Sequence, residues 1–567
     1  MLNVIPMTQI ENISFESTLT ECVYDDIHGF VALTKEEKFL INHPYFRRLH
    51  FIRQNALANF VFPGATHTRF SHSIGVLFIV EKMVQRLKTL PKWKIDITPF
   101  DHQIIRLAAL LHDVGHYPLS HTIEECFKQY DEFYLDKPNK AKKQLEKEEG
   151  STKEEEAVRN DFIKRMSSAD VKIKDFLGDL IKEGKYDSRF HHELIAKTLV
   201  SDKRSPLYKP LSDILKLTFL KFNNEELSND DVDNYLHLIG QLICGNPNFV
   251  MNNVLSSSNE QSDKYFILSL LINSDLDADQ MDYMLRDTKN TGIQTTIRID
   301  FLINNLDICF QKQSDGYIQP VLCFNYKAFE SVQQFIFSKA YWYTEIILYD
   351  KVSILNKIAQ RVYLYYLIRE YKIKSIEDFY EQILFNLNEF IKFTDQNYWE
   401  IIYQMYEDPN TPEIVLKMIK ILIGEIEIPK TISIEELSKI DKTKNFMTSF
   451  VEEEKTNEEK LKIYSEINKK IPNNYFPIFY SNKFFKKTFG ENIHRYANRS
   501  IYILTSPCIE NVRCQKNCQK VEDILRSDKI GCNLLHKIML NNSKGNELVS
   551  LDRSFIEKCI VYDFKCF

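Results

Sequence analysis

"LAALLHDVGHYPLSH" runs from Leu107 to His121 and decides how the rest of the chain is read. An apolar stretch feeds directly into His112, Asp113, His116 and His121. The apolar part predicts a buried helix, where an unpaired polar group costs roughly 2–7 kcal/mol. Side chains of this kind stay in such a place because something partners them. On a helix, His112 and Asp113 project ~100° apart, and a cation lying against it can take an imidazole nitrogen and a carboxylate oxygen together. That mixed donor set suits Fe, Mn, Zn or Ni, with an open position for water. His116, four residues after His112, is expected on the same face. Gly115 admits another backbone, and Pro118 ends the helix so that His121 opens a new turn. Glu124 follows His121 by three residues, where a carboxylate orients an imidazole and raises its pKa. Any one of these histidines reads equally well as a satisfied core residue. Three of them beside an aspartate do not.

The surroundings predict helices. Apolar positions recur at helical spacing in "YFRRLHFIRQNALANFV" (45–61), "IGVLFIVEKMVQRL" (74–87) and "HQIIRLAALLHDV" (102–114). "FPGATHTRFSH" (62–72) breaks the first two apart as a turn, with Thr66 or Thr68 as cap of the next helix. From about 128 to 189 the chain is charged and poor in aromatics, which reads as a solvated insertion. Helical spacing returns in "HHELIAKTLV" (191–200), "SDLDADQMDYMLRDT" (274–288) and one long aromatic helix over 341–371. Past about Ser375, β-rich runs such as "RSIYILTS" (499–506) and "KCIVYDF" (558–564) alternate with helical ones. The expectation is a mainly α fold, with a helical catalytic core over 1–375 and a smaller mixed α/β lobe over 376–567.

Composition narrows the class. The 567 residues include 39 Phe and 29 Tyr against 15 Gly and 17 Pro, which favours long helices over turn-rich sheets. A net charge of -6 gives no electrostatic reason for nucleic acid as main partner. "MLNVIPMTQIENISFE" lacks a basic region followed by an apolar core, and "IVLKMIKILIGEIEI" (414–428) is too short and charged to span ~30 Å of hydrocarbon. Eleven scattered cysteines fit reduced thiols, so a soluble cytoplasmic protein without membrane contact is expected. Cys514, Cys518, Cys532 and His536 form a paired x3 spacing that could hold a structural zinc, or could be helical turns with free thiols.

The block "IHGFVALTKEEKFLINHPYFRRLHFIRQNALANFVFPGATHTRFSHSIGV" (27–76), followed by "HDVGHYPLSH" (112–121), resembles the HD-domain deoxynucleoside triphosphate triphosphohydrolases. That family includes bacterial dGTPases and the vertebrate SAM-and-HD-domain enzyme. The resemblance implies an HD-domain helical core. It also implies one divalent transition metal held by His72, His112, Asp113 and Asp279. On helical spacing alone Asp282 competes with Asp279, and Asp277 is close by. In the family, water activated at the metal attacks the α-phosphorus of a dNTP, releasing deoxynucleoside and triphosphate, with Mg accompanying the triphosphate. The resemblance assigns His121 to protonating the 5′-oxygen, Glu124 to orienting it, and His116 and His192 to phosphate or acid positioning, with His191 as the alternative to His192. It assigns Arg69 to clamping phosphate, Gln54 and Asn55 to the sugar 3′-hydroxyl, Tyr283 to stacking beneath the deoxyribose, and Asp287 to accepting the 3′-hydroxyl.

This chain departs from the family in places. Gln280 stands where lysine is usual, Asp350 follows Tyr349 where histidine is usual, and Ala340 replaces a phosphate-binding arginine beside Lys339. Lys339 and Tyr349 are carried as substrate contacts with Gln280. The activator pocket of the vertebrate enzyme matches Asn42, Arg47 and His50 here, so it is not carried over intact, although Arg47-Arg48 leaves a basic pair for a nucleotide activator. The family also implies a homo-oligomer, and dNTP depletion for pool balance or antiviral defence. Two other readings remain: an HD phosphohydrolase acting on a ribonucleotide, monophosphate or cyclic dinucleotide, and a non-catalytic nucleotide sensor.

Overall fold

Thr98 accepts a hydrogen bond from Asp101 N while the Asp101 carboxylate accepts one from Thr98 N. With Pro99 in the first turn, this capping box starts the Pro99–Leu111 helix. Every residue from Phe100 to Leu111 is buried, and a helix apolar nearly all round belongs at the centre of a core. In the computed structural model, which describes residues 14–130, 190–245, 259–312 and 318–428 apart from a few single positions, plus four short strands between 477 and 561, it is the axis of a mainly helical fold. The Arg69–Lys88, Tyr208–Asn223 and Asn229–Cys244 helices pack around it. The polar residues on the axis are matched: Arg106 binds Glu37 at 2.7 Å, and His102 reaches Glu81 at 2.9 Å. Each buried leucine of "LAALL" contributes about 1.5–3 kcal/mol by leaving water.

Short strands accompany the helices in three small sheets among the described residues. Glu21–Asp25 pairs with Gly29–Leu33, with Glu21 opposite Leu33. The Asp25 carboxylate accepts from Ile27 N and His28 N in the turn, where Gly29 has a φ of 74°. Leu306–Lys312 pairs antiparallel with Ile318–Asn325, which pairs parallel with Tyr502–Leu504, followed by Cys518–Lys520. Pro477–Tyr480 pairs antiparallel with Lys558–Val561. The strands at 502–504 and 558–561 fall in the runs read as β-rich. Neither the 21–33 hairpin nor the 306–325 pair was expected.

Three local expectations are corrected. The helix carrying "LAALL" ends at Leu111 with His112 as its C-cap, so His112 and His116 do not share a helical face. The 341–371 segment is not one helix: Phe329–Trp342 passes into a wider turn over Tyr343–Ile347, where Leu348 N bonds Tyr343 O at 2.8 Å, and Asp350–Glu370 begins afresh. Cys22 and Cys126 keep free thiols, but Cys309 is disulfide-bonded, against the expectation of reduced thiols.

The described helices beyond 375 share the same hydrophobic core as those before it. The Tyr45 hydroxyl donates to Leu384 O at 2.7 Å, and buried Arg48 donates to Phe393 O at 2.6 Å. Residues 131–189 of the charged stretch, and the side chains of Cys514, Cys518, Cys532 and His536, lie outside the described residues. Among the described residues, no helix is long and apolar enough to cross a membrane.

Candidate metal centre and active-site cleft

His72 comes from the Arg69–Lys88 helix, His112 and Asp113 from the end of the Pro99–Leu111 helix, and Asp279 from the first turn of the Ala278–Thr291 helix. The fold brings these four together. His72 Nε2 lies 2.8 Å from Asp279 Oδ1 and 3.8 Å from Asp113 Oδ2; His112 Nε2 lies 3.5 Å from Asp113 Oδ1 and 4.0 Å from Asp279 Oδ1. The two rings are held by their other nitrogens. His72 Nδ1 meets Asp282 Oδ2 at 2.7 Å, and His112 Nδ1 meets the Ala109 carbonyl at 2.8 Å. Both partners are acceptors, so each Nδ1 carries the proton and each Nε2 turns a lone pair toward the carboxylates. Both Nε2 atoms are buried and lack an aligned hydrogen bond, despite the short approach of Asp279 to His72. His72, His112 and Asp279 thus fit a divalent metal: unsatisfied nitrogens converge with carboxylate oxygens within 4.8 Å of one another.

The electrostatics agree. Burial alone would push His72 down, but Asp279 and Asp282 pull it up to about 10, so the cage draws a positive charge to Nε2, either a proton or the metal that would displace it. Burial would raise Asp113, but Arg69 first, then His112, His116 and His72, hold it well below the ordinary carboxylate range. Asp282, the rival carboxylate, is saturated by His72, by His28 Nε2 at 2.7 Å and by Arg286 at 2.9 Å. Asp277 caps its helix by accepting from Gln280 N at 2.8 Å. A Cβ on Gly75 would stand 1.8 Å from Asp282 Oδ1, so that close approach requires glycine.

Between His112 and His121 the chain turns tightly, with φ of 48° at Leu119 and 51° at Ser120. Non-glycine residues rarely adopt this conformation, and neighbours hold it here. Asp395 accepts from Leu119 N at 2.7 Å and from Arg53 N at 3.0 Å, while Arg48 donates to the carbonyls of Val114 and His116. The turn brings His116 Nε2 to 3.5 Å from Asp113 Oδ1, with both its ring nitrogens buried and unpartnered. Burial, reinforced by Arg69 and His192, drives His116 well below its ordinary value.

His121 opens the His121–Tyr130 helix, and its Nδ1 meets Glu124 Oε2 at 2.7 Å. The same carboxylate takes His192 Nδ1 at 3.1 Å and Lys128 Nζ at 2.7 Å. His192 stacks on His116 with centroids 4.1 Å apart, whereas His191 lies 3.8 Å from Glu124. His192 is therefore the histidine inside the cluster. Burial would raise Glu124, but His192 and Lys128 hold it well below the usual range. Burial lowers His121 most; the Glu124 carboxylate raises it as expected, but His192 and Arg69 lower it further, and the net direction is downward, to about 4. The His121 side chain keeps 66% of its area open, so water in the cleft tempers that shift.

Of the residues tied to substrate, Arg69 is anchored, donating to Asp113 Oδ2 at 2.8 Å and to Ser120 Oγ at 3.0 Å. Its Nη2 lies 3.5 Å from Gln54 O. Gln54 Oε1 and Asn55 Nδ2 are buried without partners. Asp287 receives His67 Nε2 at 2.7 Å. Tyr283 stacks on Trp342 with centroids 4.9 Å apart. Lys339 Nζ donates to Gln280 Oε1 at 2.7 Å, bringing an ammonium beside the position that lacks the family's lysine. Tyr349 is exposed and meets Phe62 edge-on.

Sequence reasoning missed His28, His67, Arg286, Ser120 and Asp395. His28, His67, Ser120 and Asp395 have partners far along the chain, which no local spacing announces, whereas Arg286 lies four residues after Asp282, an i,i+4 spacing that could have found it.

The HD domain model matches residues 69–172. Deoxynucleoside triphosphate triphosphohydrolase SAMHD1 of Gallus gallus is 39% identical over 103 residues, 18% of this chain and 17% of that protein. The putative HD domain-containing protein L394 of Acanthamoeba polyphaga mimivirus is 24% identical over 394 residues, 66% of this chain and 63% of that one. A hypothetical protein from Aquifex aeolicus of known crystal structure superposes with a TM-score of 0.52 at 16% identity, covering 96% of both chains; it is similar in fold alone. The stronger sequence matches span about a fifth of those relatives' length. This chain carries an HD domain, a domain that implies a divalent metal, and over that region it resembles the dNTP triphosphohydrolases.

Proposed function

On the premise of an HD domain over 69–172, we propose that this protein hydrolyses deoxynucleoside triphosphates to deoxynucleoside and triphosphate. One observation carries the reading. A continuous chain of hydrogen bonds runs from Asp113 through Arg69 to Gln54, whose N–H donates to His67 O at 3.1 Å, and on to His67 and Asp287. Polar groups strung out in this order suit a ligand with a phosphate at one end and a sugar at the other.

A divalent ion held by His72, His112, Asp113 and Asp279 supplies Lewis-acid polarisation of a phosphate oxygen and lowers the pKa of water. The other steps belong to side chains. His121, held through Nδ1 by Glu124, offers Nε2 to the leaving 5′-oxygen and delivers its proton there. An anionic triphosphate entering the cleft favours the imidazolium that this requires. His192 shares Glu124 and fixes the geometry, while His116 and Arg69 face the phosphate. Lys339 and Gln280 act together on the triphosphate, which arrives with Mg. Gln54, Asn55 and Asp287 take the 3′-hydroxyl side, Tyr283 stacks beneath the deoxyribose, and Tyr349 contacts the far end of the substrate. A nucleotide activator, a homo-oligomeric state and a cytoplasmic role in lowering dNTP levels complete the reading.

The test is chromatographic product analysis with each dNTP, alone and in mixtures. Deoxynucleoside with intact triphosphate is expected. Orthophosphate with a diphosphate, or turnover only of ribonucleotides or cyclic dinucleotides, overturns the proposal. Mixed-substrate rates equal to the single-substrate rates remove the activator.

A further inference from the structure

His67 lies in the turn "FPGATHTRFSH" and has no part in the metal cage or the acid pair. Its Nε2 stands 2.7 Å from Asp287 Oδ1, and the two side chains are 5% and 1% exposed. A carboxylate only accepts, so Nε2 carries the proton and donates. The remaining groups of this pair are unpartnered: Asp287 Oδ2 and His67 Nδ1 are both buried with no hydrogen bond, as are Gln54 Oε1 and Asn55 Nδ2 on the adjoining segment. That segment is locked to His67, because Arg53 bridges Thr68 and Gln54 N bonds His67 O. The turn is in turn pressed onto the Ala278–Thr291 helix, where a Cβ on Gly64 would stand 2.2 Å from Asn290 O.

Buried polar atoms are normally satisfied, and leaving one unpaired costs roughly 1–3 kcal/mol, more for a charged group. Four such atoms gathered where the 53–55 segment, the His67 turn and the Ala278–Thr291 helix meet point to a polar ligand. Acceptors predominate, with a carboxylate oxygen, an amide oxygen and, in the neutral ring, the lone pair of Nδ1. The matching ligand group is a hydroxyl donor, with Asn55 Nδ2 available to donate back to its oxygen.

We infer that His67 is a specificity-determining positioning residue: it fixes the Asp287 carboxylate so that Oδ2 reads a substrate ring hydroxyl. This rests on the dNTP reading, in which the hydroxyl is the sugar 3′-OH. Without the His67 bond, Asp287 rotates or recruits water, and discrimination for that hydroxyl falls while the chemistry at the metal is unaffected.

The experiment measures kcat/KM for a dNTP and its 2′,3′-dideoxy analogue with the full-length wild type and with His67→Leu, His67→Asn and His67→Gln. Wild type is expected to prefer the hydroxylated substrate. His67→Leu removes the donor and His67→Asn is too short to reach Asp287. Each lowers that preference by roughly 10–100-fold, the loss falling far more on the hydroxylated substrate than on the dideoxy one. His67→Gln, which returns an N–H near the Nε2 position, keeps most of the preference. If His67→Leu fails to fold, His67→Asn gives the same comparison. Equal losses on both substrates, or an unchanged preference, overturn the inference. A wild type that hydrolyses dNTPs and dideoxy analogues alike also refutes it while sparing the proposed function. A wild type inactive on both removes the dNTP reading, and the inference with it.

Discussion

Glu124 is the residue whose removal separates two accounts of the cleft. Read from sequence, it orients one imidazole, and Glu124→Ala should be milder than His121→Ala. The structure reverses that order, because the one carboxylate holds His121 at 2.7 Å, His192 at 3.1 Å and Lys128 at 2.7 Å. A hydrogen bond to a charged group is worth ~1.5–3 kcal/mol. Two imidazole bonds together therefore bound the loss at ~3–6 kcal/mol, or about 10²–10⁴-fold in turnover at 1.36 kcal/mol per tenfold. His121→Ala should cost the same ~10²–10⁴-fold, the usual worth of a positioned acid. Glu124→Ala should therefore match or exceed it, and Glu124→Gln, which keeps shape but satisfies only one ring in its present tautomer, should lose roughly 10–100-fold. The double variant His121→Ala/Glu124→Gln should be little worse than His121→Ala, since residues acting as a unit are not additive. Single-turnover assays of triphosphate release, with metal content measured in parallel, decide the matter. Glu124→Ala within a few-fold of wild type, or loss of metal from His121→Ala, refutes the reasoning.

His112→Ala should strip metal from the purified protein, as should Asp113→Asn, and elemental analysis finding full occupancy in either removes it as a ligand. Asp113→Asn should also lower Tm, because it leaves buried Arg69 without its counter-charge. Asp395 is held up at about 6 by burial, against its two backbone donors. Raised above its ordinary 3.8, it favours the folded state most at low pH, and that contribution fades as pH rises through 6, by roughly 3 kcal/mol in all. Tm between pH 4 and 6 should fall less in Asp395→Asn than in wild type, and parallel curves would refute this. Tyr24, Phe30 and Phe51 are at least 60% exposed, and on that ground we expect a homo-oligomer; a monomeric mass by light scattering, with and without nucleotides, counts against it.

The sequence made the helical class and the cage residues legible for a physical reason: apolar spacing and clustered histidines are local signals. What it hid was non-local. The reading put His116 on the face of His112 by continuing a helix through residues 112–116. A tight turn brings it to Asp113 instead, and the left-handed residues of that turn are held by Asp395, nearly three hundred positions away, which no spacing rule reports. Asp279 and Asp282 were indistinguishable on a helical wheel; Arg286 and His28 separate them by saturating Asp282. His67 sat in a quoted turn without a role because Asp287, its partner, lies on another helix. Short strands such as Leu306–Lys312 carry too few residues for their period to stand out in a helical background.

Glu124 and His192 face each other across the segment 131–189, and the joint is reinforced where the Tyr117 hydroxyl donates to Phe190 O at 2.9 Å and the Phe127 and Phe190 rings meet. A Cβ on Gly115 would stand 2.4 Å from His192 O, so the turn after Leu111 and the start of the His192–Ser201 helix touch backbone to backbone. With these contacts holding the residues before the segment directly to those after it, a single peptide cleavage between Tyr130 and Phe190 should leave Glu124 and His192 paired.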